Sequence, residues 1–223
     1  MSLARPIWDA LSTRQQAFSF GGERARRFVP EVSPFAATRD DTPESLRALA
    51  ELVPATGTVV LLQAEEPVIP PGIVVVTAAA GVQMIAERVE SAPNDPRIQR
   101  LAASDAPAML ALATLTKPGP FASRTPELGE FWGIKDGDTL VAMAGERMKH
   151  AGFTEVSGVC THPDARGRGF ARLLSAWVAA RIAARGETAY LHAYASNTAA
   201  ISLYRELGFV HARDMYVASL ARG

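Results

Sequence analysis

The sequence predicts an α/β protein, because segments with the pattern of strands alternate with segments with the pattern of helices. From 155 to 171, an apolar strand leads through a turn and a glycine-containing loop into a helix. That helix has a single apolar stripe between 170 and 182, with apolar residues at i, i+3, i+4, i+7, i+8 and i+12. A second strand at 188–194 is followed by a second helix over 197–208 that begins with an asparagine cap and ends at a glycine.

The rest of the chain gives weaker local patterns. A proline-rich stretch at 91–96 indicates a boundary, and the loop at 116–129 is expected to be mobile. The basic group Arg24, Arg26 and Arg27 is expected to be a solvated face. Further elements are predicted as helices at 9–20, 42–52 and 105–115, strands at 57–63, 73–77, 81–89 and 98–101, a hairpin from 131 to 149, and a strand pair within 211–220.

The loop at 166–171 has the composition of an anion site. Gly167 and Gly169 let the backbone approach a ligand closely, and the helix that follows offers free amide groups and the positive end of its dipole. The loop lacks the Gly-Lys-Ser/Thr ending of a Walker loop and the three glycines of a dinucleotide fingerprint. A tight turn without a ligand would also need glycine, so the loop alone leaves both interpretations open.

Two segments resemble the signatures of the GNAT superfamily of N-acetyltransferases. Arg166-x-x-Gly169-x-Ala171, behind a Thr-His-Pro turn at 161–163, is similar to the acetyl-CoA loop Arg/Gln-x-x-Gly-x-Gly/Ala. Residues 197–209, NTAAISLYRELGF, resemble the second signature, Asn-x-x-(Ala)-x-x-x-Tyr-x-x-x-Gly-Phe. Because both occur in the expected order and spacing, chance is a poor explanation.

The resemblance implies a fold as well as a function. It predicts a mixed, mostly antiparallel central sheet flanked by helices in a domain at 97–223, behind a divergent α/β half at 1–96 that could wall the acceptor site. This arrangement is similar to that of the amino-acid N-acyltransferases that use glycine as acceptor. The implied activity is transfer of an acetyl group from acetyl-CoA to a primary amine of a small molecule, amino acid or peptide.

By the same resemblance, the cofactor lies along three parts of the chain. The strand end at 159–161 would bind the pantetheine arm, the loop amides would bind the pyrophosphate, and Asn197 would reach a pantetheine amide. Arg166 and Arg168 could add contacts, although loop arginines are as often solvated. The implied cofactor-binding residues are Val159, Cys160, Thr161, Arg166, Gly167, Arg168, Gly169, Phe170, Ala171, Asn197 and Tyr204.

Two residues are candidates for proton transfer. Tyr204 lies two helical turns after Asn197, and by family analogy it is the general acid beside the sulfur. The alternative is a tyrosine that packs against Phe209. Glu155, at the start of the strand, is the candidate base; the alternatives are a solvated strand-end glutamate and deprotonation through water. His150 and His162 are weaker candidates.

Composition limits the other possibilities. Lys plus Arg and Asp plus Glu number 23 each, so no basic field suggests nucleic acid or a lipid surface. The single cysteine, Cys160, is expected to be a packed side chain in a reducing compartment. No His/Cys/Asp spacing predicts a metal, and no apolar run is long enough to span a membrane. We expect a cytoplasmic monomer or homodimer, with a non-catalytic acyl-CoA-binding or sensing module as the alternative function.

Overall fold

The computed structural model describes residues 3–223. Within this range the helices are α1 (Pro6–Ser12), α2 (Pro43–Leu52), α3 (Ala106–Thr116), α4 (Phe170–Ala183) and α5 (Thr198–Glu206). The strands are β1 (Ser19–Gly21), β2 (Ala25–Phe28), β3 (Ala36–Thr38), β4 (Val59–Gln63), β5 (Ile73–Ala86), β6 (Gln99–Arg100), β7 (Phe131–Asp136), β8 (Thr139–His150), β9 (Phe153–Thr161), β10 (Thr188–Tyr194) and β11 (Phe209–Arg222).

The centre of the fold is an eight-stranded sheet with the order β4-β11-β5-β10-β9-β8-β7-β6. Its neighbours are antiparallel except for β9 and β10, which run parallel. The predicted mixed, mostly antiparallel sheet is therefore confirmed. A separate three-stranded sheet, β1-β2-β3, lies beside it, where Phe35 forms a single bridge to Val60 of β4.

Helices cover both faces of the main sheet. On one face, α4 buries Phe170, Leu174 and Val178 in a core that also includes Met84 of β5 and Phe209 of β11. On the other face, α1 packs in a second core with the side chains Ile7, Leu11, Phe28, Tyr190 and Met215. The two cores lie on either side of the strands, so a residue's position along a strand decides which core it enters.

The strand β5 differs from the prediction. The sequence predicts separate strands at 73–77 and 81–89, but β5 continues from Ile73 to Ala86 because β11 pairs with it along this whole length. For the same reason, the strand pair predicted within 211–220 is the single strand β11. The intervening alanines have low intrinsic strand propensity, and the pairing overrides it.

The position of β5 also bears on the predicted boundary at 91–96. This strand comes from the N-terminal side of the boundary, yet it lies between β10 and β11 from the C-terminal side. The main sheet thus draws strands from both sides, and the division into 1–96 and 97–223 stays a prediction.

The helix predicted at 9–20 is wrong in its extent. α1 ends at Ser12, and a short 3-10 turn and β1 follow. The side chain of Gln15 is buried and binds the backbone of β8: its amide donates to the carbonyl of Arg147 at 2.6 Å, and its oxygen accepts from the amide of Lys149 at 3.2 Å. This tertiary contact accounts for the end of the helix, which the local pattern does not mark.

The basic group at 24–27 is not simply a solvated face. Arg27 is buried and donates to the carbonyl of Leu52 at 2.9 Å, and Arg26 donates to the carbonyl of Leu11 at 3.3 Å. Both carbonyls belong to the last turn of a helix, where unpaired carbonyls and the negative end of the dipole favour a cation. These arginines therefore hold the ends of α1 and α2.

The elements around the glycine loop agree closely with their predictions. The hairpin β7–β8, the helix α4 and the strand β10 lie where the sequence places them, and the side chain of Asn197 accepts the amide of Ala200 at 3.2 Å as the cap of α5. Gly208 has φ +87°, and the ring of Phe209 lies 6.0 Å from that of Tyr204. The helix α2 begins at Pro43 as predicted.

Candidate active site

The candidate site begins where β9 and β10 separate. The two strands pair in parallel only from Phe153 with Thr188 to Glu155 with Tyr190. Beyond this point, β9 continues to pair with β8 and β10 with β5. The gap between them opens a cleft of about 930 Å³.

Residues from both sides of the predicted boundary line this cleft. At one end lie the glycine loop, the start of α4 and the side of α5. Thr116 and the loop at 117–120 form part of the wall. The opposite end is formed by Phe35, Val60 and Leu62 of the N-terminal half, which belong to the core on the other face of the main sheet from Phe170 and Tyr204.

The glycine loop presents open backbone to the cleft. Gly167 and Gly169 have φ values of +76° and +75°, and a Cβ built on either residue would meet no protein atom within 4 Å. Gly169 occupies the N-cap position of α4, a helix of 14 residues, and glycine has no side chain that could accept a hydrogen bond there. The first backbone amides of α4 therefore receive no hydrogen bond from an N-cap side chain. A free helix N-terminus and open glycines together suit an anionic group.

The arginines and the phenylalanine of the loop differ in environment. Arg166, Phe170 and Ala171 line the cleft. Arg168 does not, because its guanidinium lies 4.8 Å from the ring centre of Phe170 and 4.0 Å from a carboxylate oxygen of Asp136. Arg168 therefore has local partners that explain it without a ligand.

The end of β9 forms one wall of the cleft with Val159, Cys160 and Thr161. Burial raises the pKa of the Cys160 thiol to about 11, which agrees with a packed side chain rather than a nucleophile. The hydroxyl of Thr161 is buried and has no hydrogen-bond partner within residues 3–223. An unpaired buried hydroxyl in a cleft wall is a group that a ligand can satisfy.

On α5, Asn197 and Tyr204 line the same cleft. Tyr204 is 8% exposed, and its hydroxyl has no hydrogen-bond partner within residues 3–223. Burial raises the pKa of Tyr204 to about 12, so the hydroxyl keeps its proton at neutral pH. The contact with Phe209 predicted as an alternative is present, and it leaves the hydroxyl available.

Glu155 is not the solvated strand-end residue that was one of its alternatives. It is the third residue of β9 and 0% exposed. Its carboxylate accepts two hydrogen bonds from Arg147, at 2.6 and 2.8 Å, and one from the amide of Met148 at 3.2 Å. A ring nitrogen of His192, Nδ1, lies 2.8 Å away. Burial alone would raise the pKa of Glu155, but the charge of Arg147 and the hydrogen bonds from Arg147 and His192 lower it to about 2.

The ring of His192 is held from both sides. Its Nε2 lies 2.9 Å from the amide nitrogen of Gln83, which also donates to the carbonyl of Leu3 at 3.0 Å. A carbonyl oxygen can only accept, so the contact with Leu3 identifies this Gln83 atom as the side-chain nitrogen, which is a donor. Nε2 of His192 therefore accepts from Gln83, and the histidine proton lies on Nδ1, towards Glu155. The guanidinium carbon of Arg147 lies 4.9 Å from the ring centre of Phe35.

Arg147 and His192 both line the cleft, and neither is among the site residues predicted from the sequence. A signal was present for His192, which is a polar residue within the largely apolar strand β10, but not for Arg147, which lies among the polar residues at the end of β8. The weaker histidine candidates lie elsewhere. His150 is buried, and its Nε2 lies 3.0 Å from the hydroxyl of Tyr190. Burial lowers the pKa of His150 to about 4. His162 accepts a hydrogen bond from the backbone amide of Asp164.

Among residues 3–223, no group of three or more His, Cys, Asp or Glu side chains is placed to hold a metal ion. None of the helices in that range is long and apolar enough to cross a membrane.

Comparison with known proteins decides the family. A crystal structure from Novosphingobium aromaticivorans DSM 12444, assigned to the acetyltransferases of the GNAT family, is 42% identical to this chain with a TM-score of 0.93. The match covers 99% of this chain and 98% of that protein. This chain belongs to the GNAT family. The family model described as FR47-like protein matches residues 131–218 of this GNAT chain.

More distant GNAT structures share the fold. A GCN5-related N-acetyltransferase from Kribbella flavida is 17% identical over 100% of this chain and 97% of its own, with a TM-score of 0.65. A GNAT acetyltransferase from Colwellia psychrerythraea is 12% identical over 98% and 97%, with a TM-score of 0.54. No curated protein matches the chain. The predicted superfamily and fold are confirmed, and the glycine N-acyltransferase-like branch stays a prediction.

Proposed function

We propose that this GNAT protein is an N-acetyltransferase that transfers the acetyl group of acetyl-CoA directly to a primary amine of a small acceptor. The observation that carries the proposal is the single cleft that joins the helix N-terminus of α4, the free hydroxyl of Tyr204 and a separate end walled by Phe35, Val60 and Leu62. Such a cleft has room for a long anionic cofactor and for an acceptor that enters from the other side.

The residues present fit the cofactor. The open glycines and the amides at the start of α4 suit its phosphates, and the unpaired hydroxyl of Thr161 and the side chain of Asn197 suit a polar arm along the cleft. When bound, acetyl-CoA supplies an acetyl group activated as a thioester with a thiol leaving group. The residues that we propose to hold it are Val159, Cys160, Thr161, Arg166, Gly167, Gly169, Phe170, Ala171, Asn197 and Tyr204. Arg168, which faces its own partners, would contribute through its backbone.

Tyr204 is proposed as the proton donor. Its hydroxyl is protonated at neutral pH, as that of any tyrosine with a pKa of 10 or above is, and it has no competing hydrogen-bond partner within the described residues. A group that holds its proton and lies in the cleft wall can give that proton to a departing thiolate. Contact with Phe209 fixes the ring without occupying the hydroxyl.

Glu155 is the candidate base from the sequence, and its environment supports a different role. A carboxylate with a pKa of about 2 and four hydrogen-bond donors around it binds a proton weakly. We propose that Glu155 positions Arg147 and His192 at the cleft wall and that the amine loses its proton to water. The low pKa is the reason to prefer the positioning role.

The test is release of free thiol from acetyl-CoA, followed with a thiol reagent against a panel of primary amines, together with calorimetric titration of CoA. We expect amine-dependent thiol release and one CoA per chain, because the open glycine loop at the α4 N-terminus lies in one cleft only. Tight CoA binding with no turnover on any amine would instead support the sensing module. Two CoA sites per chain would contradict the proposed cleft.

A further inference from the structure

The charged side chains that line the cleft are all positive. They are Lys117, Arg147, Arg166 and Arg172, and no aspartate or glutamate is among the lining residues. Glu155 is fully enclosed behind Arg147 and His192. An acceptor with several positive charges would therefore meet cations and no exposed carboxylate in this cleft.

Arg147 is the cation at the acceptor end. Lys117, Arg166 and Arg172 belong to the loop after α3, the glycine loop and the start of α4, whereas Arg147 packs on Phe35. Its Nε and Nη2 are both used by Glu155. Its third nitrogen, Nη1, has no hydrogen-bond partner within residues 3–223 and is accessible to solvent. Because Arg147 lines the cleft, we take Nη1 to be accessible from the cleft.

The guanidinium is also held in one orientation. The two hydrogen bonds to Glu155 fix its plane, and the ring of Phe35 lies against its face. Because Arg147 is already 93% enclosed by protein, a ligand that accepts from Nη1 would cost little further desolvation or side-chain ordering. Its charge is balanced by Glu155, so the attraction would come from a directed hydrogen bond in a poorly solvated site.

Several apolar side chains line the same cleft. Phe35 lies against Arg147, and Val60, Leu62 and Val217 are further lining residues, to which Thr77 and Ser219 add two hydroxyl groups. The acceptor end therefore offers a fixed hydrogen-bond donor of positive charge together with an apolar surface.

We propose that the acceptor has a carboxylate near its primary amine and an apolar side chain, as an apolar amino acid does, and that Nη1 of Arg147 binds the carboxylate. The proposal rests on the N-acetyl transfer proposed above, and it narrows the acceptor class at the same cleft. Arg147 is thus a residue that determines acceptor specificity. Diamines and polyamines should be poor acceptors, because no lining residue is an aspartate or glutamate that could bind a second ammonium group.

Matched acceptors test the proposal. L-leucine is compared with isopentylamine, and L-phenylalanine with 2-phenylethylamine, since the members of each pair differ only in the carboxylate; putrescine represents the diamines. A hydrogen bond between charged groups is worth about 1.5–3 kcal/mol, so kcat/KM for each amino acid should exceed that of its amine by roughly 10- to 100-fold. Equal or better use of the amines, or a preference for putrescine, would overturn the proposal.

The variant that tests the role of Arg147 is Arg147→Lys. It keeps a positive charge beside Glu155 but lacks the planar guanidinium with its several nitrogen donors. We expect the preference for L-leucine over isopentylamine to fall towards 1, mainly through a higher KM for L-leucine. Arg172→Lys is the matched control, because it makes the same change at the cofactor end of the same cleft; it should keep the preference. If Arg147→Lys does not fold, as judged by thermal melting, the neutral pair Arg147→Gln with Glu155→Gln replaces it.

A binding measurement separates this proposal from the proposed function. With CoA present, N-acetyl-L-leucine should raise the melting temperature of the parent protein more than N-isopentylacetamide does, and Arg147→Lys should remove the difference. If this difference appears but no amine is acetylated, N-acetyl transfer fails and the carboxylate site stands. If amines are acetylated and the two ligands bind alike, the transfer stands and the carboxylate site is wrong.

Discussion

Arg147 of β8 and Glu155 of β9 form a bidentate ion pair, with Nη2 of Arg147 2.6 Å from Oε1 of Glu155 and Nε 2.8 Å from Oε2. The carboxylate is fully buried, and the arginine is 7% exposed at the wall of the cleft. A buried pair of this kind adds little net stability by itself, but loss of one partner leaves an uncompensated charge. Because Arg147 also lines the cleft, loss of the pair would both destabilise the sheet and change the shape of the cleft wall.

The first prediction concerns Glu155→Gln. We expect lower stability, because Arg147 loses its counter-charge, and a fall in kcat/KM that is the same at every pH from 7 to 10. A base role would give a different profile, with activity recovered at high pH where the amine deprotonates unaided. The pH dependence of kcat/KM for parent and variant distinguishes the two roles.

The same pair gives a pH dependence of stability. The pKa of Glu155 is lowered in the folded protein to about 2, so its contribution is fully present above the ordinary carboxyl pKa near 4.5 and is lost as the pH falls towards 2. The parent should lose stability across this window by more than the double variant Arg147→Gln with Glu155→Gln. Urea melts at a series of acidic pH values measure this; parallel curves would contradict the assigned pKa shift.

Tyr204→Phe keeps the ring against Phe209 and removes the hydroxyl proton. Loss of general acid help should lower kcat by about 10²- to 10⁴-fold while CoA affinity changes little. Tyr194→Phe is a matched control, because Tyr194 also lines the cleft but lies on β10. If both variants turn over like the parent, Tyr204 has a packing role only.

Gly169→Val places a side chain in the open space of the loop. CoA affinity should fall by at least about tenfold, which corresponds to 1.4 kcal/mol. The control is Gly186→Val, because Gly186 also has φ +75° and open space around its Cβ position, but it lies after α4 and outside the cleft. Both variants share the backbone strain, so only a difference between them in calorimetry supports the anion site.

A fragment of residues 95–223 should not fold cooperatively. It lacks β4 and β5, and without β5 the strands β10 and β11 have no neighbour between them. Circular dichroism and thermal melting of the fragment measure this. A soluble fragment with a sharp melting transition would support an independent C-terminal domain and contradict the expectation.

Local chemistry made one part of the molecule predictable. The glycine loop, the cap at Asn197 and the ending at Gly208 depend on neighbours a few residues away, and the structure contains each of them. The two family signatures consist of these same residues. For this reason the local structure of the glycine loop and of α5 could be predicted from the sequence.

Contacts between distant segments were not predictable in this way. The buried state of Glu155 depends on the register that brings Arg147 and His192 beside it, and the end of α1 depends on Gln15 reaching β8. The length of β5 depends on β11, far along the chain. The pairing of β8 with β9 shifts register between Glu146 and Lys149, and the patterns of the two strands do not show such irregularities. The surroundings of Arg147 and Glu155 therefore required the structure.

The insertion of β5 between β10 and β11 has a consequence for how the protein folds. Val210 pairs with Ile85, and Tyr190 pairs with the same residue from the other side, so both contacts close very long loops of chain. Closing such loops costs entropy before any pairing compensates it, and folding rates fall as contacts become more distant in sequence. Segments from both sides of β5 line the cleft. A chain arrested before this pairing would lack the complete cleft, and a ligand of the cleft added during refolding would stabilise the completed protein alone.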